Sequence, residues 1–417
     1  MESPPFRYRV LLLFFGPWLM LLVLVQAWRC RSGRFAKQRL GFAYNVHSAS
    51  PLWIHCASVG EVTAALPLIR RLSSDFPKQN IVISTTTPTG AETIHRENLP
   101  NAEHIYLPVD FKSAVNRAVN AIQPSALILM ETELWPHLVN CVSDREIPVV
   151  IVNARLSAKT VGSPAWIKPL YSQMLSRVQA IFAKSDADAQ RFVSLGANAG
   201  VVQGIGNIKY AGVNLQQANL SCDIACPFWL AASTHENEEA QLCTAIEKFQ
   251  HCRNTLLVIA PRHPVRSEKI QEMLKKSGVN FAVRSKDQTI KPDTQVYLAD
   301  QLGELKMWLA HAEVVFMGGS LVPVGGHNLL EPAAASVSMV TGPHLQNVSE
   351  EAELLLAAGA LYKAADADDV LQRIELLLAD SELRKESGQA GYDAVSDKAS
   401  VLDRYVEVLL PVIGIKQ

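Results

Sequence analysis

Short apolar runs separated by stretches of helical spacing recur between residues 52 and about 210. The runs cover 52–57, 81–86, 104–107, 126–130, 149–153 and 180–184, each bounded by polar or turn residues. Such alternation predicts a parallel sheet with helices on both faces. After a polar, weakly patterned stretch the rhythm restarts, with runs at 228–232, 256–260, 296–298, 314–316 and 338–341. The tail reads as helices over 370–379 and 396–410, the second stopped by Pro411. A chain of 417 residues exceeds one ordinary core,. The pattern therefore predicts an α/β protein of two domains, at 50–212 and 228–417, joined by a linker at 213–227.

Ahead of this body, residues 10–27 are uncharged and apolar, close to the ~18–20 residues that span hydrocarbon,. Pro17 inside the run predicts a kink,. Trp28 and the cluster Arg29, Arg31, Arg34, Lys37 and Arg39 follow, an interfacial anchor pattern,. Residues 1–40 thus read as a membrane anchor with a basic flank, and the positive-inside rule keeps the body in the cytoplasm. Crossing the bilayer and dipping into one leaflet are both open. A cleaved secretion signal is the third reading, weakened by the lack of a small-residue cleavage site. Charge agrees: the first fifty residues carry net +6 in a chain of net −1. A basic end on an otherwise acidic protein argues for an anionic lipid surface and not for nucleic acid. Seven cysteines at irregular spacing give no disulfide framework or metal finger,.

Polar groups at the ends of the apolar runs are the chemical candidates, because ligands of open α/β sheets bind at the carboxyl ends of strands. Ser58-Val59-Gly60-Glu61 places Glu61 in the first turn of a helix, as a general base or as an ordinary N-terminal acid,. Thr85-Thr86-Thr87-Pro88 is a hydroxyl-rich turn, most simply a cap,. Glu131 and Glu133 close the fourth run, where buried carboxylates are costly unless paired or facing a cleft,. Glu133 also fits a cap for the helix begun by Trp135-Pro136,. The mixed basic and apolar stretch 154–178, with Lys159, Trp166, Tyr171, Met174 and Arg177, suits a phosphorylated lipid or an ordinary amphipathic helix,. Lys209 follows Gly204-Ile205-Gly206-Asn207 at the end of the first half, as a cleft or a surface residue.

In the second half, Ser233-Thr234-His235-Glu236-Asn237-Glu238-Glu239 reads as a hydroxyl cap with acids in the first helical turn,. Arg262, after Pro261, offers a fixed fork of donors to a phosphate, or is a surface residue,. The segment from Met317 to Pro332 holds two glycine pairs before Asn328 and Glu331. It reads as a nucleotide-sugar cradle, or as a glycine-rich connection with a capping carboxylate.

Taken in order, these motifs resemble the 3-deoxy-D-manno-octulosonic acid (Kdo) transferase family. The resemblance rests on Ser58 to Glu61, Thr85 to Gly90, Glu131 to Pro136, Asn153 to Ser157, Gly206 to Lys209, Ser233 to Glu239, Ala260 to Pro264 and Gly318 to Pro332. It implies a GT-B fold, two Rossmann-like domains facing across a cleft. It also implies transfer of Kdo from CMP-Kdo to the lipid A precursor at the cytoplasmic face of a bacterial inner membrane, with no metal and no cofactor. By motif position, Glu61 resembles the general base, and Glu131 and Lys209 resemble residues assisting the transition state. Pro261, Arg262, Gly303, Glu304, Leu305, Asn328, Leu329, Leu330 and Glu331 resemble the CMP contacts. Two positions depart from the family pattern: Asn237 stands where Gly is usual, and Tyr210 follows Lys209 where Phe is more common. A GT-B enzyme using a UDP-sugar, and a membrane-tethered two-domain binding protein, are the rival readings.

Overall fold

The computed structural model describes residues 6–46, 49–156, 158–162, 164, 167–212 and 221–415. Ser157, Trp166 and the linker residues 213–220 lie outside them, as does the side chain of Lys159. Two compact units are present, one of Met1–Gly212 with Ser400–Gln417 and one of Val213–Ala399.

The first unit carries a seven-stranded parallel sheet in the order β3-β2-β1-β4-β5-β6-β7. Its strands are β1 (Leu52–His55), β2 (Ile81–Thr85), β3 (Ala102–Tyr106), β4 (Ala126–Met130), β5 (Val149–Ala154), β6 (Ala180–Ala183) and β7 (Val202–Gly204). Central strands β1, β4 and β5 are buried on both faces, which is why they read as unbroken apolar runs,. The second unit repeats the plan in the order β10-β11-β9-β8-β12-β13-β14. There the strands are β8 (Phe228–Thr234), β9 (Leu256–Pro261), β10 (Phe281–Val283), β11 (Val296–Leu298), β12 (Val314–Met317), β13 (Ser338–Thr341) and β14 (Leu361–Lys363). Three strands absent from the sequence reading, β7, β10 and β14, are all three-residue edge strands. With one neighbour each, they do not require a long apolar run.

Chain order reverses between β1 and β4 in one sheet and between β8 and β12 in the other. Those switch points are where a doubly wound sheet opens a crevice for ligands.

Helix α1 (Phe6–Arg29) runs through Pro17, followed by α2 (Gly33–Arg39). Tyr8 donates to the buried Asp110 carboxylate at 2.7 Å, and Gly16 lies against the Phe111 ring. Val23 joins a small core with Phe35, Tyr106 and Val109. The rest of α1 leaves Leu13, Phe14, Trp18 and Trp28 exposed.

The tail departs from expectation in three ways, the first being that the helix expected over 396–410 is divided at Ser400 between Ser381–Ala399 and Val401–Ile413. The last helix, Val401–Ile413, contains Pro411 and stops two residues later, with Gly414 in the left-handed region. A proline near a helix end removes only one N–H from the ladder, and the buried Leu409, Leu410 and Ile413 hold the last turn down,. The same helix belongs to the first unit and not to a continuous 228–417 domain. Its apolar stripe of Val401, Tyr405, Val406, Leu409 and Leu410 is buried there.

Candidate active site

The first switch point gathers three carboxylates. Helix α3 (Val59–Asp75) begins directly after β1, with Ser58 as its cap: the hydroxyl accepts from Glu61 N at 3.3 Å. Glu61 bends back so that one oxygen accepts from Ala57 N at 2.7 Å and the other from the Ser58 hydroxyl at 3.0 Å. This is a variant of the capping box, in which the carboxylate reaches one residue further back than the cap's own N–H,. Burial nevertheless pushes the Glu61 carboxyl up to about 7; the Ala57 and Ser58 bonds oppose the rise, while Glu133 and Glu131 add to it,. A half-buried carboxylate with a proton affinity near neutrality is suited to exchanging a proton at physiological pH.

Glu131 ends β4 with a left-handed backbone, φ 55°, and donates its N–H to Val152 O. A non-glycine residue there is uncommon and gathers at functional sites. Glu133 does not cap the following helix, whose N-cap is Trp135. Its carboxylate accepts from Trp135 Nε1 at 2.9 Å and lies 3.7 Å from His55 Nε2. Burial works to raise its proton affinity, but the His55 and Trp135 contacts prevail and hold it below the ordinary glutamate range. The Cys56 thiol, wholly buried among these acids, is pushed well up.

Lys209 lies on the short 3-10 helix Ile208–Gly212, which packs against α3, so its turn and the Glu61 helix are neighbours. The turn is held from two sides. Asn153, a left-handed bulge residue in β5, accepts from Ile208 N at 3.1 Å. From the C-terminal helix, Tyr405 donates to Gly206 O at 2.8 Å, and Val401 covers Gly206, whose φ is 122°. The Thr85–Thr87 turn is structural: Thr87 caps a helix, and Thr86 donates to Ala57 O at 2.7 Å. In the mixed 154–178 stretch, Met174 and Leu175 are buried in the core and Arg177 pairs with Asp144 at 2.6 Å. These contacts fit the amphipathic-helix reading.

The second switch point is ordered by Glu238, fully buried beneath the glycine-rich loop. Its two oxygens accept from the backbone N–H groups of His235, Gly319, Ser320 and Leu321 at 2.7 to 3.0 Å. Gly318 is required here because a Cβ would sit 2.6 Å from Ser233 O. Glu239 takes a two-pronged ion pair from Arg266. Asn237 has φ 75°, which explains a glycine preference at this position; Asn is among the few other residues that tolerate the left-handed region,. His235 and His327 stack with their Nε2 atoms 2.8 Å apart, and burial lowers His327 to about 4.

Around this loop stand the expected nucleotide contacts. Arg262 is exposed just beyond Pro261, with its N–H donating to Thr234 O. Gly303 has φ 90°, Leu305 opens the next helix, and Glu304 accepts from the Arg284 guanidinium at 3.1 Å. Asn328 donates to Glu331 at 3.0 Å and accepts from Leu330 N at 3.0 Å. The Leu329 and Leu330 side chains point into the core, so a ligand would meet these two through their backbone. The helix here is short, Leu330–Ala334. Sequence reasoning missed His55 and the organising parts played by Glu238 and Tyr405. Only the first-turn position of Glu238 gave any local sign. Among the described residues no cluster of His, Cys, Asp and Glu has the arrangement of a metal site.

Solved structures share this architecture. A glycosyltransferase from Rickettsia africae superposes with a TM-score of 0.57 at 12% identity, covering 89% of this chain and 99% of that one. A UDP-GlcNAc 2-epimerase from Neisseria meningitidis reaches 0.57 at 13% identity, over 87% of this chain and 100% of its own. At such identities the likeness speaks for the fold, and that fold is GT-B: two Rossmann-like domains, each with its polar residues at a sheet's switch point. Residues 34–212 match the family described as 3-deoxy-D-manno-octulosonic-acid transferase (kdotransferase). The Haemophilus influenzae 3-deoxy-D-manno-octulosonic acid transferase is 35% identical over 97% of this chain and 98% of its own length. The Bordetella pertussis enzyme of the same name is 32% identical over 88% of each. The chain belongs to the Kdo transferase family and is a glycosyltransferase.

Proposed function

We propose that the enzyme moves Kdo from CMP-Kdo to a glucosamine hydroxyl of the lipid A precursor (lipid IVA), with inversion. Glu61 takes the hydroxyl proton as that oxygen attacks the anomeric carbon of Kdo, and CMP departs with the bonding pair. Lys209 and Glu131 assist the transition state from the same end of the first sheet. Arg262 and the backbone N–H groups of the second unit meet the charge that grows on the leaving phosphate, where fixed donors act most strongly. Pro261, Gly303, Glu304, Leu305 and the segment Asn328-Leu329-Leu330-Glu331 hold the nucleotide.

The observation that carries this reading is the Glu61 carboxyl, fixed by two hydrogen bonds at the switch point and raised to about 7. A base of this kind contributes ~10²–10⁴-fold. Glu61→Gln is expected to lose turnover by about that factor while CMP binding, read by calorimetry, stays within about twofold of wild type. Full activity in that variant would overturn the assignment.

The acceptor's lipid nature draws support from α1, the one described helix apolar and long enough to cross a membrane, whose most apolar 18-residue window within Tyr8–Arg29 has mean hydropathy 2.3. With the basic residues behind it, α1 would attach the body to the cytoplasmic side of an inner membrane rich in anionic lipid. Removing residues 1–29 should release the protein from vesicles of phosphatidylglycerol, as read by flotation.

A further inference from the structure

The donor-independent chemistry of the first switch point contains a group that the proposed mechanism leaves unused. His55, at the end of β1, is completely buried. Its Nδ1 lies 2.9 Å from the Ser84 hydroxyl and 3.1 Å from Ser84 O. The Ser84 oxygen already receives the Trp53 indole N–H at 2.8 Å, so the Ser84 hydrogen is directed elsewhere and His55 Nδ1 is within its reach. Buried polar atoms are normally paired, yet His55 Nε2 has no hydrogen-bond partner,. The acid it meets is Glu133, whose Oε2 is 3.7 Å away.

Two proton arrangements satisfy Nδ1. With Ser84 donating, the ring hydrogen resides on Nε2 and faces Glu133. With Nδ1–H donating to Ser84 O, a neutral ring would turn a bare lone pair on a carboxylate, which is repulsive. The first arrangement is therefore the one that suits Glu133. It turns a positive N–H edge on the carboxylate, while Trp135 Nε1 donates to the same oxygen. Ser84, His55 and Trp135 thus fix a carboxylate whose orientation local sequence does not determine.

We propose that Glu133 is a positioning residue of the transfer reaction: held by His55 and Trp135 just past β4, the strand beside β1, it acts electrostatically on Glu61 at the switch point. The proposal rests on Glu61 being the base. A fixed negative neighbour disfavours ionisation of a carboxyl, which strengthens the base once it is ionised. The charged and titratable groups bearing on Glu61 are Glu131 and Glu133 beyond β4 and the Cys56 thiol just past β1; the turn that carries Lys209 packs along α3. Of the two neighbouring acids, Glu133 exerts the larger effect on Glu61. It also has an identifiable clamp. Burial would otherwise favour its protonation, and the His55 and Trp135 contacts reverse that.

The test is the pH profile of kcat/KM for the full-length enzyme with CMP-Kdo and lipid IVA. In Glu133→Gln the acid limb should move down by about half a unit to one unit, with several-fold lower activity above the limb. Glu133→Asp, which keeps the charge, should bring the limb back towards wild type. A substitution that merely loosened the fold would lower activity without moving the limb. If Glu133→Gln is too slow to profile, titration of ¹³C-labelled Glu carboxylates, with Glu61 assigned by Glu61→Gln, reads the same shift without turnover. An unmoved Glu61 titration or limb overturns the proposal. Should Glu61→Gln stay inactive while the limb in Glu133→Gln stays put, only the positioning role fails. Should Glu61→Gln remain active, the base assignment fails first.

Discussion

At the scale of single residues, Glu61 is the point where stability and chemistry pull in opposite directions. Its folded-state carboxyl holds a proton up to about 7, above the ordinary value of 4.5. The folded state therefore binds the proton more tightly than the unfolded chain does. That contribution to stability is complete below about 4.5 and is lost as pH rises through about 7,. Glu61→Gln removes the penalty of a buried charge. It should melt higher than wild type at pH 8, by ~1 kcal/mol after allowing for partial solvation, or about 2–4 °C. The difference should vanish below about pH 4.5, where the Glu61 carboxyl is neutral in the folded and unfolded chain alike; a scanning calorimetry series across that range checks it,. This residue was readable in advance because Ser-x-x-Glu is a local helix-start pattern. Glu133 was readable as a strand-end acid, but its meeting with His55 was not, because that depends on β1 lying beside β4, a pairing between residues far apart in the chain.

Elements show the same division between local and distant information. The glycine-rich connection after β12 was legible from composition, and its need for close approach is met at Gly318. What shapes it is a carboxylate some eighty residues earlier. Nothing near Glu238 distinguishes a clamp of four N–H groups from an ordinary first-turn acid. Because the side chain is fully buried, Glu238→Ala would leave those donors unsatisfied and should destabilise the second unit by about 3–5 kcal/mol. CMP binding should fall with it; chemical denaturation and calorimetry read the two effects. Left-handed residues at the ends of β4, β5 and β8 (Glu131, Asn153 and Ser233) were likewise invisible beforehand. Asn153 and Ser233 mark register shifts that re-aim the chain as it leaves the sheet,.

The whole molecule was legible as two alternating α/β halves, since the repeated run-and-helix rhythm is a property of sequence. The membership of the last helix was not, because an amphipathic stripe tells that a face is covered but not by which domain. That helix buries Val401, Tyr405, Leu409, Leu410 and Ile413 in the first unit and braces the turn bearing Lys209. Ending the chain after Ala399 should remove on the order of 5–10 kcal/mol of apolar burial, comparable to the stability of a whole domain. A calorimetric scan should then lose the transition of the first unit and keep that of residues 221–399. The arrangement also has a consequence for biosynthesis. Because its closing helix follows the whole of the second unit in the chain, the first half cannot reach its finished form until the second has been synthesised. The second half can therefore mature before the first, and the turn bearing Lys209 gains its brace only once that helix has followed.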